Sequence, residues 1–165
     1  MIEYTTFNSS IGKIYIVAVI EGVVKISFSN ASSEELEEYC QKHLGAGVRK
    51  GSGYTRDAKQ QILKYLEGKS QSLDFPVIHL NSPFRKKVLE VERNIPYGKT
   101  RSYGEVAKMV NNPRASRAVG SANAENPLPL YFPCHRIITS NGRLGGFGWG
   151  VDVKQYLLDL ESKSF

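Results

Sequence analysis

At 165 residues the chain is long enough for one ordinary domain or two small ones packed together, and 41% of it is hydrophobic, enough to bury a core and too much for a disordered polymer. No apolar run approaches the ~20 residues a membrane-spanning helix needs, and Met1–Phe7 has neither the basic start nor the apolar stretch of a signal peptide, so a soluble, cytoplasmic protein is expected. Two cysteines, Cys40 and Cys134, are too few for a disulfide framework.

The charge is unevenly placed. Residues 1–80 carry nine Lys/Arg and nine Asp/Glu, whereas residues 81–165 carry thirteen against seven, so the whole formal charge of +6 belongs to the second half. A basic half beside a neutral one fits a polyanionic partner such as nucleic acid, and fits simple solubility as well.

In chain order, Lys13–Ile20 and Val23–Phe28 are β-branched runs joined through Glu21-Gly22, a hairpin pattern. Ser32 followed by Glu35 has the spacing of a capping box and opens a helix through Leu36, Tyr39, Cys40 and Leu44 to Gly45. Cys40 falls on the apolar stripe of that helix, where a thiol is a small core residue. A second helix is expected over 55–66, and Leu73–Leu80 reads as a further strand, at an edge because of Pro76.

From Asn81 on, helices and Gly/Pro-rich loops replace strands. Ser82-Pro83 starts a helix that turns Phe84, Val88, Leu89 and Val91 inward, Ser102-x-x-Glu105 caps a short helix, and a third runs from about Pro113 to Asn123. The last two, across a brief turn, have the layout of a helix-turn-helix. In the third helix Ala115, Ala118 and Ala122 recur at helical spacing while Arg114 and Arg117 share another face. Small residues of this kind suit close helix packing. They equally suit a helix lying in a narrow DNA groove, with Arg117 reaching into the duplex.

The segment 126–138, with Pro127, Pro129 and Pro133, is too proline-rich for a regular helix and delivers a rigid extended chain to Cys134. A thiol attacks as its thiolate, and the neighbouring His135 and Arg136 are the residue types that promote one. Adjacent side chains diverge, however, so a Cys–His partnership requires a turn or a bridging water.

Pro133-Cys134-His135-Arg136-Ile137 resembles the active-site sequence of the O6-alkylguanine-DNA alkyltransferases, the methylated-DNA–protein-cysteine methyltransferases. The resemblance extends, in order, through 95–100 (Ile-Pro-Tyr-Gly-Lys-Thr), 102–107 (Ser-Tyr-Gly-Glu-Val-Ala), 117–120 (Arg-Ala-Val-Gly), Asn126-Pro127, and the tail from Gly145-Gly146-Phe147 to Leu157-Leu158. It implies an α+β fold, with a ribonuclease-H-like domain over 1–80 and a DNA-binding, alkyl-transferring domain with a helix-turn-helix over 81–165. It further implies that Cys134 is the alkyl acceptor, that His135 acts on it through a water, and that Glu161 orients His135. By the same resemblance Asn126 ties the active-site turn, Tyr103 turns the flipped nucleotide and meets the base, and Arg117 fills the space that nucleotide leaves. Ala115, Ser116, Ala122 and Asn123 are expected at the groove contact, and Pro129, Ile137, Phe147 and Gly148 around the substrate.

The implied activity is stoichiometric repair: the alkyl group of O6-alkylguanine in double-stranded DNA, approached from the minor groove and flipped out, passes to Cys134 and inactivates the protein. A monomer with no cofactor, no metal and no membrane contact is expected. The sequence departs from the family at Gly148, where many members carry a larger polar residue, and at Phe147, often tyrosine. A non-catalytic lesion sensor of the alkyltransferase-like type would lack Cys134, a cysteine hydrolase would need an oxyanion hole, and a helix-turn-helix regulator leaves the 133–136 run unexplained.

Overall fold

The computed structural model describes residues 1–28 and 32–163, which divide into two compact units, one up to Leu80 and one from Asn81 onward. The first unit is built on a four-stranded sheet of order β3-β2-β1-β4, formed by β1 (Ile2–Ser9), β2 (Gly12–Val19), β3 (Gly22–Ser27) and β4 (Val48–Lys50). The first three strands are antiparallel, and β4 pairs parallel to β1. The β2–β3 hairpin is the expected one, with a register shift at Val17/Ala18. Strand β1 is rich in strand-favouring residues over Tyr4-Thr5-Thr6-Phe7, but its polar and apolar residues do not alternate cleanly, so the sequence pattern does not mark it.

Helix α1 (Ser33–Leu44) starts where Ser32 Oγ accepts from Glu35 N at 3.1 Å and stops at Gly45, whose φ of 67° closes the end as only glycine does at little cost. It buries Leu36 and Cys40 against Ile2, Val17 and Val24, so Cys40 is a core residue. Helix α2 (Arg56–Leu66) buries Ala58, Ile62, Tyr65 and Leu66. The strand expected over 73–80 is not formed. Val23 N donates to Pro76 O and Ile78 N to Val23 O, a single bridge at Val77, because proline has no N–H with which to continue a ladder. Gly22 permits that approach: a Cβ there would sit 2.7 Å from Pro76 O.

The second unit is helical: α3 (Pro83–Arg93), α4 (Tyr103–Met109), α5 (Ser116–Ala124) and α6 (Val151–Ser162). Both halves of the capping box open α4, with Ser102 Oγ accepting from Glu105 N (3.0 Å) and Glu105 Oε1 accepting from Ser102 N (3.3 Å). Helix α5 begins three residues later than expected, because Pro113-Arg114 belong to the preceding turn. The core joins Val88, Ile95, Val106, Ala107, Val110, Ala115, Val119, Ala122 and Ile137, each large side chain contributing roughly 1.5–3 kcal/mol by burial. Helix α3 turns its expected face inward, with Val88 and Leu89 buried and Phe84 and Val91 partly buried against the core, and it buries Glu92 as well. Two parallel rungs, β5 (Arg101–Ser102) against β6 (Ile137–Ile138), tie the start of α4 to the chain just after Cys134. Among the described residues no helix is long and apolar enough to cross a membrane.

Candidate active site

Residues 126–133 deliver Cys134 through a loop that makes few hydrogen bonds of its own. Asn126, buried, supplies them instead: Nδ2 donates to Phe132 O (2.9 Å) and Oδ1 accepts from Leu128 N (2.9 Å). The loop folds back so that Phe132 N reaches Leu128 O, which forces Leu130 to a φ of 73°, a strained conformation for a residue with a Cβ. A 3₁₀ turn over Cys134–Arg136 follows. In this turn Cys134 lines a cavity, while His135 and Arg136 both reach α6.

There they meet Glu161. His135 Nε2 lies 2.6 Å from Glu161 Oε2, Arg136 donates from Nε to Oε1 (2.8 Å) and from Nη2 to Oε2 (3.0 Å), and Gly98 N donates to Oε1 (3.1 Å). Arg136 also donates from Nη1 to Ile95 O at 2.7 Å. Burial alone would raise the Glu161 carboxyl, but hydrogen bonds from His135 and Arg136 and their charge outweigh it, holding it well below the usual carboxylate range. Burial lowers His135, with Arg136 and Lys154 acting in the same direction, against the pull of Glu161. The pair is therefore a neutral imidazole beside an ionised carboxylate. Because that carboxylate only accepts, Nε2 carries the ring proton and Nδ1 is the basic nitrogen.

Cys134 is 3% exposed, and burial pushes its thiol up to about 12; Asn126 and Lys154 work to lower it, and Glu92 to raise it. The resting group is thus a thiol, contrary to the expectation that His135 and Arg136 would favour the thiolate from next door: His135 is neutral, and the Arg136 charge is spent on Glu161.

Cys134 lines a cavity of about 420 Å³ together with Tyr103, Gly120, Asn123, Ala124 and the loop Gly146-Phe147-Gly148. That volume suits a small planar ligand. Tyr103 comes from the first turn of α4, and Gly145 lets its ring pass: at φ 72°, a Cβ there would stand 3.2 Å from the Tyr103 hydroxyl. Phe147 packs edge-on against Trp149.

Of the residues expected in this region, Cys134, Tyr103, Phe147 and Gly148 share the cavity, and His135, Glu161 and Asn126 form its support. Others are placed elsewhere. Ile137 is wholly buried in the helical core and Pro129 is buried in the loop, so neither is among the described lining residues. Ala115 and Ala122, expected in a groove contact, face the core, because the small-residue stripe serves helix packing on that side. Asn123 is also buried but stands on the cavity wall. Ser116 is half-buried, and Arg117 and Ala118 are exposed on α5.

Two buried residues were missed. Lys154 Nζ donates to the carbonyls of Ile137 (2.6 Å), Leu144 (2.5 Å) and Gly146 (3.3 Å). Glu92 lies wholly inside α3's packed face. Both carried a signal in their spacing: Glu92 follows Val88 and Leu89 by four and three residues, and Lys154, Leu157 and Glu161 fall at i, i+3 and i+7, so each charged residue repeats at core positions. Among the described residues no group of three His, Cys, Asp or Glu is arranged to hold a metal ion.

The family model for the DNA-binding domain of 6-O-methylguanine DNA methyltransferase matches residues 83–163, and that for its ribonuclease-like domain matches residues 2–78. The methylated-DNA–protein-cysteine methyltransferase of Methanosarcina acetivorans is 37% identical over 158 residues, spanning 96% of this chain and 97% of the relative. The constitutive enzyme of Bacillus subtilis is 33% identical, over 98% and 96% respectively. Among solved structures, Mycobacterium tuberculosis OGT in complex with DNA matches with a TM-score of 0.85 and 32% identity, over 97% of this chain and 92% of that one. With both family models in order along the chain and full-length relatives above 30% identity, this protein belongs to the 6-O-methylguanine DNA methyltransferase family.

Proposed function

We propose that the protein repairs O6-alkylguanine in DNA by moving the alkyl group onto Cys134, once per molecule. The observation that carries this reading is the single cavity wall shared by Cys134 and Tyr103, with the His135–Glu161 pair behind the cysteine. Residues 81–165 hold that entire arrangement, and we assign binding and chemistry to them, with 1–80 as a separate supporting domain.

A duplex base cannot present its O6 substituent to a buried thiol while stacked, so the target nucleotide is flipped into the cavity from the minor groove. Arg117, exposed on α5, fills the vacated position, with Ser116 and Ala118 beside it against the backbone. Tyr103 and the Phe147-Gly148 loop hold the base. The thiol proton passes through a water to His135 Nδ1, and the imidazolium so formed is stabilised by ionised Glu161. The sulfur then attacks the alkyl carbon: an S–C bond forms, the C–O6 bond breaks with its electron pair going to guanine, and the Tyr103 hydroxyl stabilises the departing base. A thioether is not hydrolysed by anything in the cavity, so the protein is consumed. It acts as a monomer and needs no cofactor.

The test is intact-mass and peptide analysis after incubation with a duplex carrying O6-methylguanine. One added methyl on the Cys134 peptide, absent in Cys134→Ser, is expected; unchanged mass with tight binding would overturn transfer in favour of lesion sensing. In the same assay Arg117→Ala slows repair of duplex much more than reaction with free O6-methylguanine, and equal slowing removes its role in flipping.

A further inference from the structure

Glu92 takes no part in that mechanism, yet it lies inside the packed face of α3, 0% exposed, and neither carboxyl oxygen has a hydrogen-bond donor of ordinary geometry. Asn123 of α5 lies beside it, is itself 8% exposed, and likewise leaves both amide atoms without a partner while standing on the wall of the Cys134 cavity. Four polar atoms, on two helices, thus converge unsatisfied next to the reactive sulfur. The arrangement contrasts with Glu161, whose oxygens receive four hydrogen bonds.

A buried carboxylate without donors is costly, whereas a carboxylic acid is complementary to a primary amide: its O–H donates to Oδ1, and Nδ2 donates back to its carbonyl. The titratable and charged groups that face Glu92 are Lys154 from α6, Cys134 from the 3₁₀ turn and Tyr103 from α4. Lys154 is the cation within reach of both Glu92 and Cys134. One ammonium, already shared with three carbonyls, cannot offset two anions.

We propose that Glu92 is a positioning residue for the reaction of Cys134, held as a neutral carboxylic acid whose proton keeps a second anion out of the site and leaves the Lys154 charge to the thiolate. Two further consequences follow from the same geometry. The neutral acid is the form of Glu92 that can both donate to and accept from the Asn123 amide beside it, and its loss of a proton in alkali opposes ionisation of the sulfur. Burial raises the Glu92 carboxyl to about 8, so that opposition sets in just above neutral pH.

The inference rests on the alkyl-transfer reading, and the experiment separates the two. The rate at which Cys134 is modified is measured between pH 6 and 9.5 for the full-length protein and for Glu92→Gln, once with an O6-methylguanine duplex and once with iodoacetamide, following the Cys134 peptide by mass. In the unaltered protein the rate stops rising near pH 8. In Glu92→Gln, a neutral isostere, it goes on rising, so the ratio of the two reaches about tenfold at pH 9, the fraction of neutral acid having fallen to about one-tenth. Parallel profiles with both reagents overturn the proposal. Diverging iodoacetamide profiles without methyl transfer from DNA overturn the repair reading and support this one. Should Glu92→Gln fail to fold, ¹³C-glutamate NMR of the unaltered protein decides: a carboxyl titrating near pH 8 is expected, and the absence of any carboxyl titrating above pH 6 overturns the proposal.

Discussion

Glu161 and Glu92 have the same side chain, both enclosed, both near the reactive cysteine, and they end in opposite states of charge. Around Glu161 the chain has gathered an imidazole, a guanidinium fork and a backbone N–H; around Glu92 it has left an amide without hydrogen-bonding contact and apolar neighbours on the same helix face. Burial pushes both carboxyls toward the neutral acid, and the donors gathered around one of them reverse that push. An enclosed acid with four donors is a fixed negative charge that stabilises an imidazolium. With none, it is a proton reservoir.

The largest effect should come from Glu161→Gln. It leaves the Arg136 charge buried without its partner and removes the anion behind His135, costing about 3–5 kcal/mol of stability at pH 7 and slowing Cys134 alkylation by roughly 10²-fold or more, read by denaturant melts and single-turnover kinetics. The Glu161 carboxyl is held low in the folded state, so its contribution is present above the unfolded carboxylate value near 4.5 and is lost as pH falls below it; the penalty of the variant shrinks in acid accordingly. Glu92→Leu should behave with the opposite sign. The folded protein retains a proton there that the unfolded chain releases above about pH 4.5, so the native carboxyl becomes progressively destabilising from there up to about pH 8 and then levels off. Against the native protein, the leucine variant therefore gains stability over that window, by about 3 kcal/mol at pH 7, and a gain that did not depend on pH would erase the distinction between the two acids. Smallest is Arg136→Lys, which keeps the charge beside Glu161 and loses the two-pronged contact. About 1–2 kcal/mol is expected in thermal unfolding, with the alkylation rate of Cys134 changed much less than in Glu161→Gln.

Much of the helical unit was legible because its signals are local. Ser102 and Glu105 announce a capping box by spacing alone, Ser82-Pro83 begins α3 as a serine–proline pair should, and the proline-rich run before Cys134 excludes a helix. Residues that owe their position to tertiary packing were not. The stripe Ala115–Ala118–Ala122 reads the same whether it meets DNA or a neighbouring helix, and only the fold shows that Ala115 and Ala122 face inward while Ala118 faces out. Arg136 reads as a promoter of the thiolate and is in fact consumed by Glu161, twenty-five residues on. Glu92 and Lys154 lie on apolar faces of their helices, where a polarity pattern discounts charged residues as solvent-facing. Strand β4, three residues long, is fixed by its pairing with β1 and has little pattern to recognise.

Lys154 has a consequence for the cavity rim. Its ammonium group occupies a cage of three main-chain oxygens from Ile137, Leu144 and Gly146, the kind of shell a bound monovalent cation would require, but here the ion is fastened to α6 by its own side chain. A free ion would leave at low ionic strength and exchange with others; this one does neither. The segment that ends in Phe147 and Gly148 is thereby anchored at its root to the helix that carries Glu161, and the wall of the cavity keeps its shape without drawing on the solvent for an ion.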